Sequence, residues 1–445
     1  MTGHFAKQAG LLTDLYELRM VESYLRDGMT EDATFSLHIR PTRERPWFVA
    51  LGVFRVLELI KSFRFGHEEL EYLRSVGLRE ETLDYLESLS PSGEIWAVED
   101  GTIVLADEPI LEITAPLPFA QLIETAVINL VQYPTLVATK AARVALAAEG
   151  RATVEFGFRR SHGLETGVEA AVAAYIGAGM STSNMEAGRR YGIDVVGTMA
   201  HSFVQSYPSE LEAFRAFARD HAGSVTLLVD TYDTFDGVRN AIVVAGEMRV
   251  RGEELRAIRI DSGDLHTLAV EARKMLDDAG FPDVGIFASG GLDEYDIDEL
   301  VHGSAPIDAF GVGTDLVTSA DRPALDIAYK LVAYAGRPLA KFSTDKASLP
   351  GAKQIFRTRK PTSDVLALRD EQLGGHPLLS CVWRDGRASY SFDRERARAT
   401  AQRELDGLPK AWRRPRRRSK PPRPPLSPRL EALVEAVRRA TSGTT

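Results

Sequence analysis

Two arginines (Arg159, Arg160), four aspartates (Asp230, Asp233, Asp261, Asp264) and one histidine, His201, sit in short polar clusters that end apolar runs between about 152 and 312, and a third arginine, Arg259, lies in the run just before Asp261. Guanidinium groups suit bidentate capture of carboxylate or phosphate. Unless each arginine simply pairs with a neighbouring acid, the clusters point to an anionic substrate. The aspartates offer the oxygen ligands that Mg²⁺ prefers when it also binds substrate phosphates, or partners for ribose hydroxyls or for the arginines. His201 is expected to serve as a catalytic or phosphoryl-accepting group, a structural histidine being the alternative. Gly290-Gly291 and Gly311-Val312-Gly313-Thr314 close the last two runs; a tight turn would explain either pair alone, but as consecutive strand ends they favour a phosphate site, since barrels commonly hold phosphate there on backbone N–H groups. The clusters hold no lysine for a Schiff base. The chain has no metalloprotease His–Glu spacing, no full G-x-G-x-x-G and no G-x-x-x-x-G-K-[ST]. Metal-assisted chemistry on a phosphorylated, anionic substrate is left.

The clusters need a scaffold that brings them to one place. The runs are T-V-E-F before Gly157, D-V-V before Gly197, V-T-L-L-V before Asp230, A-I-R-I before Asp261, V-G-I-F-A before Ser289 and I-D-A-F before Gly311. Helical spacing over 168–178, 210–221, 266–279 and 293–302 separates them. Apolar strands alternating with helices imply parallel pairing with both faces buried. In a (β/α) barrel the strands' C-terminal ends share one face, where active sites form.

The fold class expected is therefore α/β, a barrel joined to an α+β N-terminal domain and a C-terminal extension. The boundaries expected are 1–135 for the N-terminal domain with its linking helices, 136–335 for the barrel, and 336–445 for a C-terminal segment packing back on the N-terminal domain. Helices over 12–25 and 52–60 mix there with strands T-F-S-L-H-I and G-T-I-V-L-A, and 119–150 reads as two helices joined near Gln132-Tyr133-Pro134. Residues 412–429 are Arg- and Pro-rich and read as a solvated, extended stretch, with a short helix over 430–440.

With 445 residues, 44% of them hydrophobic, the chain can fill a barrel-sized core and a further domain. A net charge of −9 argues against a nucleic-acid-binding surface over the whole molecule. A single cysteine, Cys381, excludes disulfide frameworks and Cys-rich zinc sites. No apolar run is long enough for a membrane span and no signal core is recognisable, so a cytoplasmic protein is expected.

Several segments, in order from about residue 11 to 357, resemble nicotinate phosphoribosyltransferase, of the type II phosphoribosyltransferase family. They are Thr13-Asp14-Leu15-Tyr16, Phe156 through Arg160, Ser183-Asn184, Gly197 through Ser202, Arg259 through Asp264, Gly311 through Thr314, Tyr329 through Val332, and Lys341 through Gln354. The resemblance implies transfer of phosphoribose from 5-phosphoribosyl 1-diphosphate (PRPP) to nicotinate, giving nicotinate mononucleotide and diphosphate in NAD salvage. It further implies an ATP-coupled, ligase-type enzyme that phosphorylates the histidine matching His201, with Mg²⁺ as cofactor, and a homodimer with shared sites. Phe156 and Tyr16, the latter from the neighbouring subunit, would sandwich the pyridine ring. Arg259, Thr198 and Arg159 would hold the carboxylate or the 5-phosphate, and Gly290, Gly291, Gly313 and Thr314 would cradle that phosphate. Asp230 and Asp261 would lie by the ribose and metal. Where nicotinamide-using relatives carry an Asp, this chain has Ser183, which can donate to a carboxylate instead of repelling it. Nicotinamide transfer, or a lyase or isomerase on a phosphate-binding barrel, are the rival readings.

Overall fold

Six parallel strands lie between residues 152 and 312, all but the second leading into one of the clusters: β1 (Ala152–Glu155), β2 (Ser181–Thr182), β3 (Val225–Leu228), β4 (Leu255–Ile260), β5 (Gly285–Ala288) and β6 (Ala309–Val312). The computed structural model describes residues 9–221, 223, 225–343, 347–415 and 422–442. The strand order is β2-β1-β6-β5-β4-β3, with Val312 opposite Glu155 and Phe287 between Ala309 and Arg259. Val225, Leu227, Ile258, Ile260, Ile286, Phe310 and Val312 are buried, and helices such as Thr234–Val250, Leu265–Asp278 and Glu294–His302 alternate with the strands. The near-continuous apolar character of the runs follows from that covering. The sheet is an incomplete barrel, with no pairing between β3 and β2 among the described residues.

One of the six runs is not a strand. D-V-V contributes only Val195, as an isolated bridge to Thr182, and β2 takes its place in the sheet. Only two residues long, β2 has no apolar run to announce it.

The chain divides into two compact units, one of residues 140–323 with 410–415, the other of residues up to 139, 324–409 and from 416 on. The second has a seven-stranded sheet with Asp32–Ile39 near its middle, antiparallel to Ile327–Tyr334 and Pro109–Pro116. Phe35 stacks on Tyr329 at 4.7 Å, and Ser380–Arg384 adds to the sheet's other side by pairing with Glu94–Ala97. Of G-T-I-V-L-A, only Ile103–Val104 is strand, paired with Phe48–Val49. No helix among the described residues is long and apolar enough to cross a membrane.

Two expectations, about the helices over 119–150 and the stretch 412–429, need correction. Pro134 does not separate two helices, since Glu124–Ala147 runs through it. The donor it lacks would have gone to the Leu130 carbonyl four residues back. The backbone of Gly52 packs so tightly there that a Cβ would lie 2.3 Å from that oxygen. The Thr135 hydroxyl, which accepts from Leu51 N–H and donates to Leu51 C=O, ties the helix to the same segment. The Arg- and Pro-rich stretch is not wholly solvated either. Lys410–Arg413 is a helical turn and Leu426 bridges Leu366, while residues 416–421 lie outside those described.

His38, on Asp32–Ile39, is 7% exposed. Burial, then the charges of Lys353, Arg40 and Lys330, push its imidazole down to about 4. An unfolded histidine takes its proton near pH ~6.5. Between those values the unfolded state binds more protons, so stability falls as the pH is lowered through the window. Between pH ~7 and ~5 the wild type should lose about 2 kcal/mol more than His38→Asn in urea titrations; equal losses would rule out this linkage.

Candidate active site

The guanidinium of Arg259, at the C-terminal end of β4, bonds to three separate segments. Nε donates to Ser289 Oγ at 2.8 Å, Nη1 to Thr198 Oγ1 at 3.1 Å and Nη2 to Asp261 Oδ1 at 2.5 Å. Three of its five N–H groups are so committed, which leaves one on each terminal nitrogen for an anion. The guanidinium carbon lies 5.4 Å from the centre of the Phe156 ring, and Phe287 holds that ring edge-on at 5.6 Å. A cation beside an aromatic face offers a planar, carboxylate-bearing ring both stacking and charge.

Asp261 is the hub. Ser289 Oγ donates to Oδ1 at 2.6 Å, and His201 Nε2 lies 3.8 Å from Oδ2. Burial would raise this carboxyl, but Ser289, Arg259 and His201 outweigh it and hold it below the usual carboxylate range, so it is ionised at neutral pH. The Asp261 N–H donates to Asp230 Oδ2 at 2.9 Å, and Ser262 Oγ donates to the same oxygen at 2.7 Å. The other oxygen, Asp230 Oδ1, is buried without a hydrogen-bond partner among the described residues. His201 opens the short helix His201–Gln205 with its side chain 41% exposed, and Nδ1 is 3.2 Å from Thr231 Oγ1.

Asp233 and Asp264 do not join this group. Each caps a helix, Asp233 accepting from the Asp236 N–H at 2.9 Å and Asp264 from the N–H and hydroxyl of Thr267 at 3.2 and 2.7 Å. Aspartate opening a helix satisfies N–H groups the helix cannot, and that explains both. Arg159 and Arg160 stand exposed on the turn Phe158–Arg160, their guanidinium groups paired with no acid among the described residues. Ser183 is half-buried and its N–H donates to the Glu155 carbonyl at 3.0 Å. Tyr16 belongs to the other unit and is 48% exposed. Burial, then Glu124 and Glu17, raise its phenol to about 12.

After β5, Gly290 and Gly291 have φ of 98° and 68°, and neither N–H donates to a protein acceptor among the described residues. A Cβ on Gly290 would fall 1.7 Å from the Asp261 carbonyl oxygen. Gly313 and Thr314 open the short helix Thr314–Val317 after β6.

Glu155, fully buried at the end of β1, was not singled out from sequence. Its carboxylate accepts from the Gly157 N–H and, at 2.5 Å, from Thr182 Oγ1. It thereby fixes the Phe156–Arg160 turn against the turn bearing Ser183. An acid inside the apolar run T-V-E-F was the available signal.

Two family models match, the nicotinate phosphoribosyltransferase N-terminal domain over residues 11–132 and the nicotinate phosphoribosyltransferase family over 152–362. A nicotinate phosphoribosyltransferase of Mycobacterium tuberculosis is 43% identical over 406 residues, covering 90% of this chain and 87% of that protein. This chain belongs to the nicotinate phosphoribosyltransferase family. A Bacillus subtilis member is 43% identical over 384 residues, spanning 83% of this chain and 78% of its own. The crystal structure of human nicotinic acid phosphoribosyltransferase aligns with a TM-score of 0.82 at 28% identity, over 96% of this chain and 99% of that one. The family matches cover both Tyr16 and the β1–β6 strand ends.

Proposed function

We propose that this chain transfers the phosphoribosyl group of PRPP to the ring nitrogen of nicotinate in NAD salvage, coupled to ATP hydrolysis through His201. We place it in the cytoplasm, as a homodimer in which Tyr16 of one copy faces Phe156 of the other across the pyridine ring. The observation that carries the reading is the Arg259 fork, held over Phe156 with one free N–H on each terminal nitrogen.

In this reading the C1–O bond to diphosphate breaks, the ring nitrogen's lone pair forms the new C1–N bond, and positive charge develops on the ribose. Asp261, held ionised by Ser289, Arg259 and His201, and its neighbour Asp230 are suited to a ribose that turns cationic, and Asp230 Oδ1 has the open valence a ribose hydroxyl would fill. Arg259 and Ser183 orient the nicotinate carboxylate, with Thr198 and Arg159 as further donors. Gly290, Gly291, Gly313 and Thr314 receive the 5-phosphate. The same open oxygen of Asp230, with Oδ2 of Asp261, fits Mg²⁺. Mg²⁺ takes one or two carboxylates and otherwise binds water and substrate phosphates. When bound, the ion neutralises charge on the departing diphosphate. For ATP coupling, an imidazole nitrogen of His201 attacks the γ-phosphorus, ADP leaves, and water later hydrolyses the phosphohistidine. Thr231 and Asp261, one toward each ring nitrogen, orient the imidazole.

Diphosphate release from PRPP with nicotinate or nicotinamide, with and without ATP, tests this in wild type and His201→Ala. Wild type is expected to release diphosphate with nicotinate and to be stimulated by ATP. In His201→Ala the ratio of rates with and without ATP falls to unity while slow nicotinate-dependent release persists. Release with nicotinamide alone would assign the chain to the other pyridine substrate, and persistent ATP stimulation in the variant would remove His201 from the coupling.

A further inference from the structure

Lys140 is wholly buried, within Glu124–Ala147, and its ammonium touches two carboxylates: Glu294, in close contact, and Asp321 Oδ1 at 3.0 Å. Arg143, one helical turn on, donates Nε to Glu294 Oε1 at 2.8 Å and Nη2 to the Tyr295 hydroxyl at 3.1 Å. These four charged groups cancel in sum and lie in the same compact unit as the strand ends.

The positions of the two carboxylates are informative. Glu294 is the first residue of Glu294–His302, three residues after Gly291. Its helix is fixed by the Asp293 cap, which accepts from the N–H groups of Tyr295 and Asp296. Asp321 follows Thr314–Val317 through a tight turn, in which the Ser319 N–H donates to the Leu316 carbonyl and the Ala320 N–H to the Asp315 carbonyl, both at 3.1 Å. A single cation is thus bonded to Glu294, three residues beyond Gly291, and to Asp321, which follows the short helix that Gly313 and Thr314 open. A buried ion pair contributes little net stability over well-packed apolar side chains of the same volume. Its particular contribution here is directional, since a charge-assisted contact sets a distance that apolar packing sets only loosely.

We propose that Lys140 is a positioning residue that fixes the spacing of the Gly290-Gly291 and Gly313-Thr314 turns and so sets the affinity for the 5-phosphate of the phosphoribosyl substrate. This rests on the assignment of those turns to phosphate. The grip is selective by construction, because neither Lys140 nor its two carboxylates bonds to Phe156, Arg259 or Ser183, the groups placed on nicotinate.

The test uses ribose 5-phosphate binding by calorimetry together with steady-state kinetics. Asp321→Asn keeps Lys140 on Glu294 while weakening its hold on the second turn from an ion pair to a hydrogen bond with a neutral amide, and Lys140→Met releases both. Asp321→Asn is expected to raise the Kd for ribose 5-phosphate and the KM for PRPP by about tenfold, the effect of sub-ångström misplacement, with kcat and the KM for nicotinate unchanged. Lys140→Met, where it folds, moves the same two constants further. An unchanged ribose 5-phosphate Kd in folded Asp321→Asn overturns the proposal, as does a loss shared between both substrates and kcat. Ribose 5-phosphate binding by a wild type that shows no turnover counts against the proposed reaction but leaves the clamp standing. A wild type that binds no ribose 5-phosphate removes the phosphate assignment and the clamp with it.

Discussion

Replacing Arg259 by alanine is expected to lower kcat/KM for nicotinate by about a thousandfold, the upper range for losing one preorganised donor group. The size follows from the number of things one side chain does. Its fork ties β4 to Ser289 beyond β5 and to Thr198 in the segment before His201, and it neutralises part of the charge on Asp261. Alanine removes the two N–H groups proposed to take the anion and also leaves Asp261 with fewer donors, so its carboxyl titrates closer to the usual range. Arg259→Lys keeps the charge but not the planar fork. One ammonium cannot reach Ser289, Thr198 and Asp261 while offering two parallel N–H groups to a ligand, so lysine should recover only about tenfold of the loss. Steady-state diphosphate release measures both variants. Because the side chain is only 15% exposed and its loss leaves Asp261 short of donors, the alanine variant is also expected to have a lower thermal midpoint, and rates are compared on folded protein. An alanine variant within tenfold of wild type would show that Arg259 does not hold the substrate.

Much of this site was legible because chemistry and topology coincide at strand ends. Where an apolar run was long enough to be buried on both faces, as in V-T-L-L-V or V-G-I-F-A, the residues just after it fall on the same face of the sheet, and Asp230, Asp261 and Ser289 are found bonded together there. The reading failed where the pattern was too short or where the same residue type has two uses. Ser181–Thr182 is a strand by its place between Glu155 and Val195, without any apolar signal of its own. Asp233 and Asp264 stand beside Asp230 and Asp261 in sequence, yet they are spent on helix caps. Helices follow both, so capping was open to inference from the residues two and three places on.

The buried polar groups were the least legible. Lys140 and Arg143 lie in A-T-K-A-A-R, which by spacing is an ordinary helix with a charged face. Their partners Glu294 and Asp321 are more than a hundred residues away in sequence, and only the fold shows that the charges face inward. Glu155 poses the same difficulty. Burial raises its carboxyl, opposed by the Thr182 hydroxyl and the Gly157 N–H, and neither donor is identifiable as its partner before the strands are paired.

Of the two adjacent glycines after β5, only one should be indispensable, and the difference is expected to be large. Gly290→Ala places a Cβ where φ is 98° and where the Asp261 carbonyl oxygen would be 1.7 Å away. The backbone must move to relieve that contact, since a carbonyl oxygen in the next strand's turn cannot rotate aside like a side chain. Strain at positive φ and overpacking together should cost about 4 kcal/mol. The displaced group is the main chain of Asp261, so activity should fall even in protein that remains folded. Gly291→Ala meets nothing within 4 Å at φ 68°, a left-handed conformation, and should cost only about 1 kcal/mol. Denaturant midpoints of the two variants, with activity measured on the folded fraction, compare them directly. Equal stability losses would mean that the close approach of Gly290 to Asp261 relaxes freely, and the turn would then be too soft for the proposed role of holding a phosphate at a fixed distance from Asp230 and Asp261.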